Sequence, residues 1–251
     1  MNAGKTFRMG RIFRNEKALI VAMDHGVYSG PIRGIENIRD TVMKVVNGGA
    51  DAVLMNLGSA IKCCEELAGR ASLILNIPLS PEGVREAVKL GADAIKTTYF
   101  GAVPLKENML DRLYKIAIES EDWGIPYLCE IVPADENGRV ICDVEKVKAA
   151  SRIGAELGAD MIKTVYTGSS ESFRRVTESC SIPVLVLGGT KLESPIEVLR
   201  LVRGSLDGGG AGVVIGRNIW QYDDPEAMTA AISKILHEDA GLDEALKILN
   251  K

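Results

Sequence analysis

Short apolar runs alternate along the chain with longer stretches in which apolar residues recur at helical spacing. The runs are Ala18–Asp24, Ala52–Asn56, Ser72–Ile77, Ala94–Thr98, Pro126–Val132, Met161–Val165, Pro183–Leu187 and Gly212–Ile215. They are rich in β-branched residues and lack strict polar alternation, as strands buried on both faces do, and parallel sheets are built of such strands. Between them lie amphipathic stretches such as IENIRDTVMKVVNGG, SPEGVREAVKLGAD and SPIEVLRLVRGSLDGG. Several open on Ser, Asp or Pro and close on Gly, the start and stop signals of a helix. Eight strands alternating with eight helical segments predict a (β/α)8 TIM barrel, a single domain over residues 1–251. Residues 1–17 are an N-terminal segment and 240–251 a terminal helix. An open doubly wound sheet is the runner-up, but it usually carries a Gly-rich turn after its first strand, and here that turn reads Asp24-His25-Gly26-Val27.

An internal repeat strengthens the barrel reading. Gly91–Gly101 (GADAIKTTYFG) and Gly158–Gly168 (GADMIKTVYTG) each join a helix end, a strand and a strand-end loop. A lysine sits mid-strand in both, Lys96 on the fourth strand and Lys163 on the sixth.

Composition narrows the function classes. With 251 residues, 46% of them apolar and 25% charged, the chain is a globular protein rather than a disordered one. No uncharged apolar run approaches the roughly 20 residues of a bilayer span, and the basic start MNAGKTFRMGRIFRNEK lacks the apolar core of a secretory signal. A net charge of −4 gives no global attraction to nucleic acid or anionic membrane. The five cysteines form no CxxC pair, and the two histidines complete no zinc set at the usual spacing. No metal and no cofactor are expected, and a cytoplasmic location is.

Barrel enzymes work at the C-terminal ends of their strands, and three features stand out there. Lys163 lies among apolar residues in MIKTVYTG. Desolvation there would disfavour the ammonium and favour a nucleophilic amine, although a lysine that snorkels to the mouth or pairs with an acid fits equally. Lys96 poses the same question, with structural pairing favoured. Asp24, with His25, ends the first strand, where a carboxylate could transfer protons, hold a lysine or simply cap a loop. Glycine-bearing ends on strands seven and eight (Gly188, Gly189, Gly216), with Arg217, match the usual barrel phosphate site, although a glycine often merely ends a strand. His237, on a C-terminal helical segment, is expected exposed and without a role. Trp123 and Trp220 read as packing residues.

AMDHGVYSGP (Ala22–Pro31), GAELGADMIKTVYTG (Gly154–Gly168), VLVLGGTK (Val184–Lys191) and GVVIGRNIWQYDDP (Gly212–Pro225) occur in the right order and at the right strands. Together they resemble the archaeal-type class I fructose-bisphosphate aldolase family, which also holds 2-amino-3,7-dideoxy-D-threo-hept-6-ulosonate synthase and the autoinducer-2 phosphate thiolase. The resemblance runs nearly end to end. It implies that Lys163 forms a Schiff base with a phosphorylated ketone and that Asp24 assists proton transfer. It further implies that Gly188, Gly189, Gly216 and Arg217 hold the substrate phosphate, with His25 and Tyr166 also at the substrate, and that the protein is a homo-oligomer. The chemistry is coherent: a protonated imine is an electron sink, so cleavage of the bond beta to it leaves an enamine.

Two departures limit what carries over. Family aldolases place a proton-shuttling tyrosine on strand five, where this chain has Val132. Glu130, two residues earlier on the same strand face, could replace it or could instead pair with Lys163 or Lys96. The link after strand three, NIPLSPEG, is also shorter than the Gly/Ser/Thr-rich loop of the aldolases and the heptulosonate synthase, and such loops shape substrate choice. Lys96 is not a catalytic residue of the family; pointing inward, it would lower the pKa of Lys163. The expected function is a metal-independent aldolase acting on a phosphorylated ketose such as fructose 1,6-bisphosphate. A transferase of the same family, heptulosonate-type or thiolase-type, is the alternative, and a sugar-phosphate sensor on an inactive barrel is a third reading.

Overall fold

In the computed structural model, which describes residues 2–250, every expected apolar run is a strand. The strands are β1 (Ala18–Ala22), β2 (Ala52–Met55), β3 (Ser72–Asn76), β4 (Ala94–Gly101), β5 (Tyr127–Pro133), β6 (Met161–Thr164), β7 (Val184–Leu187) and β8 (Gly212–Ile215). They pair in parallel in chain order, and β8 returns to β1, so the sheet closes and the doubly wound alternative is set aside. Both strand faces are buried. One face of each strand fills the barrel with Ala22, Leu54, Ile74, Ala94, Leu128 and Met161, among others. The other packs on the surrounding helices, with Val53, Ile95, Ile131 and Val186 in that outer core. Among the described residues, no helix is long and apolar enough to cross a membrane.

The N-terminal segment closes the barrel floor. Its helix, Ala3–Ile12, sends Ile12 into the interior cluster. Its basic residues are matched to three aspartates, each the last residue of a Gly-Ala-Asp triplet: Arg14 to Asp51, Arg11 to Asp93 and Lys5 to Asp160. Each aspartate also accepts a backbone N–H at the start of the preceding strand, from Leu19 at 2.7 Å, Leu73 at 3.1 Å and Tyr127 at 2.9 Å. The repeated triplet thus has a structural cause, and its third copy is Gly49–Asp51.

This floor corrects the reading of His237. Its side chain is only 7% exposed, with Nε2 2.9 Å from Asp51 Oδ2, because the helix Pro225–Glu238 turns that face onto the barrel floor. The expected terminal helix is Leu242–Leu249; Met1 and Lys251, which belong to the two terminal segments, lie outside the described residues.

Candidate active site

Toward the C-terminal rim, the inward-facing positions of six strands change from apolar to polar. The period of two carries Ala22 to Asp24, Leu54 to Asn56, Ile74 to Asn76, Ala94 to Lys96, Leu128 to Glu130 and Met161 to Lys163. These polar groups form a connected, largely desolvated layer over the hydrophobic interior.

Lys96 is its hub. Its Nζ lies 2.9 Å from Asp24 Oδ2 and 2.7 Å from Glu130 Oε2, donates to Thr98 Oγ1, and stands 3.4 Å from Asn76 Oδ1. Thr98 in turn donates to Glu130 Oε2 at 2.9 Å. Glu130 spans both lysines, its Oε1 sitting 2.7 Å from Lys163 Nζ. Asn76 donates to Asn56 Oδ1 at 2.8 Å, and Asn56 donates to the Asp24 carbonyl at 2.7 Å. Two ammonium groups therefore face two carboxylates, and the buried set is neutral as a whole.

That balance fixes the protonation states. Burial opposes ionisation of Asp24, but the charges of Lys96 and Lys163 and the hydrogen bond from Lys96 outweigh it and hold the carboxyl below its ordinary value. Burial likewise opposes ionisation of Glu130 and is overcome by Lys163 and Lys96. For Lys96, desolvation would lower the pKa, yet Glu130 and Asp24 raise it well above the ordinary lysine value. Lys96 is thus a standing cation. Lys163 has Glu130 as its one ion-pair partner among the described residues.

His25 sits beside this layer. Its Nδ1 is 3.6 Å from Asp24 Oδ1, and its ring meets Trp220 edge-on at 5.4 Å between centroids. Burial lowers its pKa despite the nearby Asp24, so the ring is neutral at pH 7. Trp220 is buried and donates from Nε1 to the Ala22 carbonyl at 2.9 Å, whereas Trp123 is partly exposed.

The glycine-bearing ends of β7 and β8 are locked together. Gly189 has φ +67°, and a Cβ at Gly216 would come within 2.6 Å of the Ala22 carbonyl oxygen, so both positions require glycine. Arg217 donates to the Gly189 carbonyl at 2.9 Å, and among the described residues its Nε has no hydrogen-bond partner. The buried Asn218 donates to the carbonyls of Gly188 and Thr190, at 2.7 and 3.0 Å, and accepts from the Leu192 N–H. These contacts hold the two loops at one height beside the polar layer.

Of the expected site residues, Asp24, His25, Glu130, Lys163 and the glycine loops with Arg217 gather at this rim. Tyr166 does not. Its ring packs on Phe173, 5.6 Å between centroids, and its hydroxyl abuts Gly204 of the helix Pro195–Asp207. It lies two residues beyond the end of β6 at Thr164, where the chain turns its ring toward the helix layer. Lys96 faces inward as a full member of the layer. Sequence reasoning missed Asn56, Asn76, Thr98 and Asn218; the first two were signalled by polar residues at the last inward step of AVLMN and SLILN.

Residues 18–222 match the DeoC/LacD family aldolase. The chain is 36% identical to an uncharacterized aldolase of Saccharolobus solfataricus, covering 98% of this chain and 99% of that one. It is 35% identical to the 2-amino-3,7-dideoxy-D-threo-hept-6-ulosonate synthase of Halobacterium salinarum, over 98% and 96%. Among solved structures it is similar to an archaeal fructose-1,6-bisphosphate aldolase with its catalytic lysine covalently bound to the carbinolamine intermediate of the substrate. That likeness has 28% identity and a TM-score of 0.78, over 93% of this chain and 99% of that one.

Proposed function

The chain belongs to the DeoC/LacD family of class I, Schiff-base aldolases, and from that premise we propose that Lys163 is the nucleophile of a reaction on a phosphorylated ketose. The observation that carries this reading is the contact of Lys163 Nζ with Glu130 Oε1 at 2.7 Å, in a charge set that Lys96 keeps balanced. Lys96 is a poor nucleophile because two carboxylates hold its proton. Lys163 can pass its proton to Glu130, and the free amine then attacks the ketone carbon. The resulting carbinolamine loses its hydroxyl as water, taking up the proton that Glu130 accepted from Lys163, and the iminium remains. Removal of the proton from the hydroxyl on the carbon beta to the imine breaks the carbon–carbon bond. An aldehyde leaves and an enamine stays on Lys163; protonation and hydrolysis then free the ketone phosphate. Glu130 takes the proton-carrying part that Val132, on the same strand face, cannot. The loops Gly188–Gly189 and Gly216–Arg217 hold the phosphate and position the carbonyl.

Borohydride trapping over a panel of ketose and ketone phosphates, led by dihydroxyacetone phosphate and fructose 1,6-bisphosphate, tests this. A substrate-sized adduct mapped to Lys163 is expected. An adduct on Lys96, or none with any ketone in folded protein, overturns the assignment. A second reading, transfer of the enamine to another aldehyde, is favoured by the 35% identity to the heptulosonate synthase; turnover that starts only after a second aldehyde is added distinguishes it.

Glu130→Gln is expected to lower kcat by about 10²–10⁴-fold, the range for a removed general acid–base. Adduct formation with borohydride should slow in parallel. Unchanged turnover would mean that Glu130 serves only as an ion-pair partner.

A further inference from the structure

Strands β4 and β5 differ from the other pairs. Their register runs over seven consecutive residues, from Ile95 opposite Tyr127 to Gly101 opposite Pro133. The other neighbouring strands share two to four registered pairs. The two-stranded ribbon therefore continues past the Thr98–Glu130 level by three residues, about 10 Å. The register is unbroken, so Phe100 lies on the face that carries Lys96 and Thr98, and Val132 on the face that carries Glu130. Phe100 and Val132 are direct partners, one level above the groups that exchange protons.

This wall is apolar throughout. Residues 99–104 read YFGAVP and residues 131–134 read IVPA. Among their side chains only the Tyr99 hydroxyl can hydrogen-bond, and it donates to the Ala102 carbonyl at 3.0 Å on the other face of the strand. Val132 is fully buried, whereas Phe100 is 52% exposed, a large aromatic surface at the mouth of a polar site. The hairpin above it pairs Ala134 with Val140, itself 46% exposed, and its turn carries Asp135, Glu136 and Arg139, a net negative set. The cation of the glycine loops, Arg217, follows β8, which pairs with β7 and β1 on the far side of the ring.

We propose that the aldehyde half of the substrate is uncharged and apolar at the carbon that lies against Phe100, and that the substrate's single phosphate belongs to the ketone half. This inference rests on the Schiff-base reading above. The ribbon stands beside Glu130, where the bond is made or broken, so the aldehyde must lie along it. A phosphate or a run of hydroxyl groups laid against Phe100 would gain no hydrogen-bond partner from the side chains of this wall. An alkyl chain would instead cover Phe100 and be favoured by its buried area. In the synthetic direction the enamine carbon on Lys163 bonds to the aldehyde carbon, and the aldehyde oxygen takes up a proton. Charge at the far end of the aldehyde contributes nothing to that step and is free to be selected against.

The test uses the whole protein and the ketone phosphate that traps on it, with dihydroxyacetone phosphate first. Aldol addition is followed with propanal, butanal and D-glyceraldehyde 3-phosphate as acceptors. The expected result is a kcat/KM for butanal at least about tenfold above that for glyceraldehyde 3-phosphate, the scale of discrimination an apolar pocket gives. Phe100→Arg, at a half-exposed position, should move that ratio about tenfold toward the phosphorylated aldehyde. An adduct on Lys163 combined with preference for glyceraldehyde 3-phosphate overturns this inference alone, as does a ratio that Phe100→Arg leaves unchanged. The absence of any adduct overturns the Schiff-base reading and this inference with it.

Discussion

Lys163→Met is expected to abolish turnover, with kcat down by roughly 10⁴-fold or more, the scale seen when a covalent nucleophile is removed. The same variant should give no borohydride adduct with any ketone phosphate. Its fold should persist. Among the described residues Lys163 has a single carboxylate partner, and that partner, Glu130, keeps Lys96 at 2.7 Å and the Thr98 hydroxyl at 2.9 Å. Removing Lys163 leaves the buried layer one charge negative, but each carboxylate retains a cation. Thermal unfolding together with trapping checks the separation of chemistry from stability. If the variant loses activity only because it unfolds, Lys163 is a structural ion-pair member and the nucleophile must be sought elsewhere.

The barrel was readable because a parallel sheet buried on both faces leaves short β-branched runs, and helices with clear starts and stops separate them. Asp24, Glu130 and Lys163 stand out from their places at strand ends, but the sequence leaves open whether each faces the interior, caps a loop or pairs with a neighbour. Lys96 was harder to place, because a lysine in a strand reads alike whether it snorkels outward or meets acids inward. Its partners come from β1 and β5, far away in sequence. Asn56 and Asn76 look like ordinary strand-end residues until the barrel closes and sets them side by side. Tyr166 was misplaced since the strand ends at Thr164 and the chain beyond it turns the ring onto Phe173. His237 was misread because nothing local shows that its helix docks on Asp51, a residue 186 positions away. What a sequence hides here is long-range pairing of charge, and such pairing builds both the rim and the floor.

The strongest consequence of that pairing concerns Lys96→Met. Lys96 bridges two buried carboxylates, so its loss leaves Lys163 as the one ammonium facing both. Breaking a buried ion pair by removing one partner costs about 3–5 kcal/mol, which for a chain of this size lowers Tm on the order of 10 °C. The loss should depend on pH in a definite direction. In the parent, Asp24 and Glu130 titrate below their ordinary values, so their pairing stabilises the fold above about pH 4 and is lost only as pH falls through those lowered values. Lys96 titrates above its ordinary value, so its contribution holds up to about pH 10 and is lost as pH rises further. In the variant one carboxyl lacks a cation and its pKa rises above that of the unfolded chain. Such a group destabilises the fold at neutral pH, and the penalty is relieved as pH falls and the carboxyl takes up a proton. The gap in Tm between parent and variant should therefore be widest near pH 8 and narrow steadily toward pH 5. The acid limb of the rate profile should move upward too, because a carboxyl that must accept the Lys163 proton is then already protonated at a higher pH. A gap independent of pH, with an unmoved acid limb, would mean that Lys96 fills space in the barrel and does not set the charge of its catalytic neighbours.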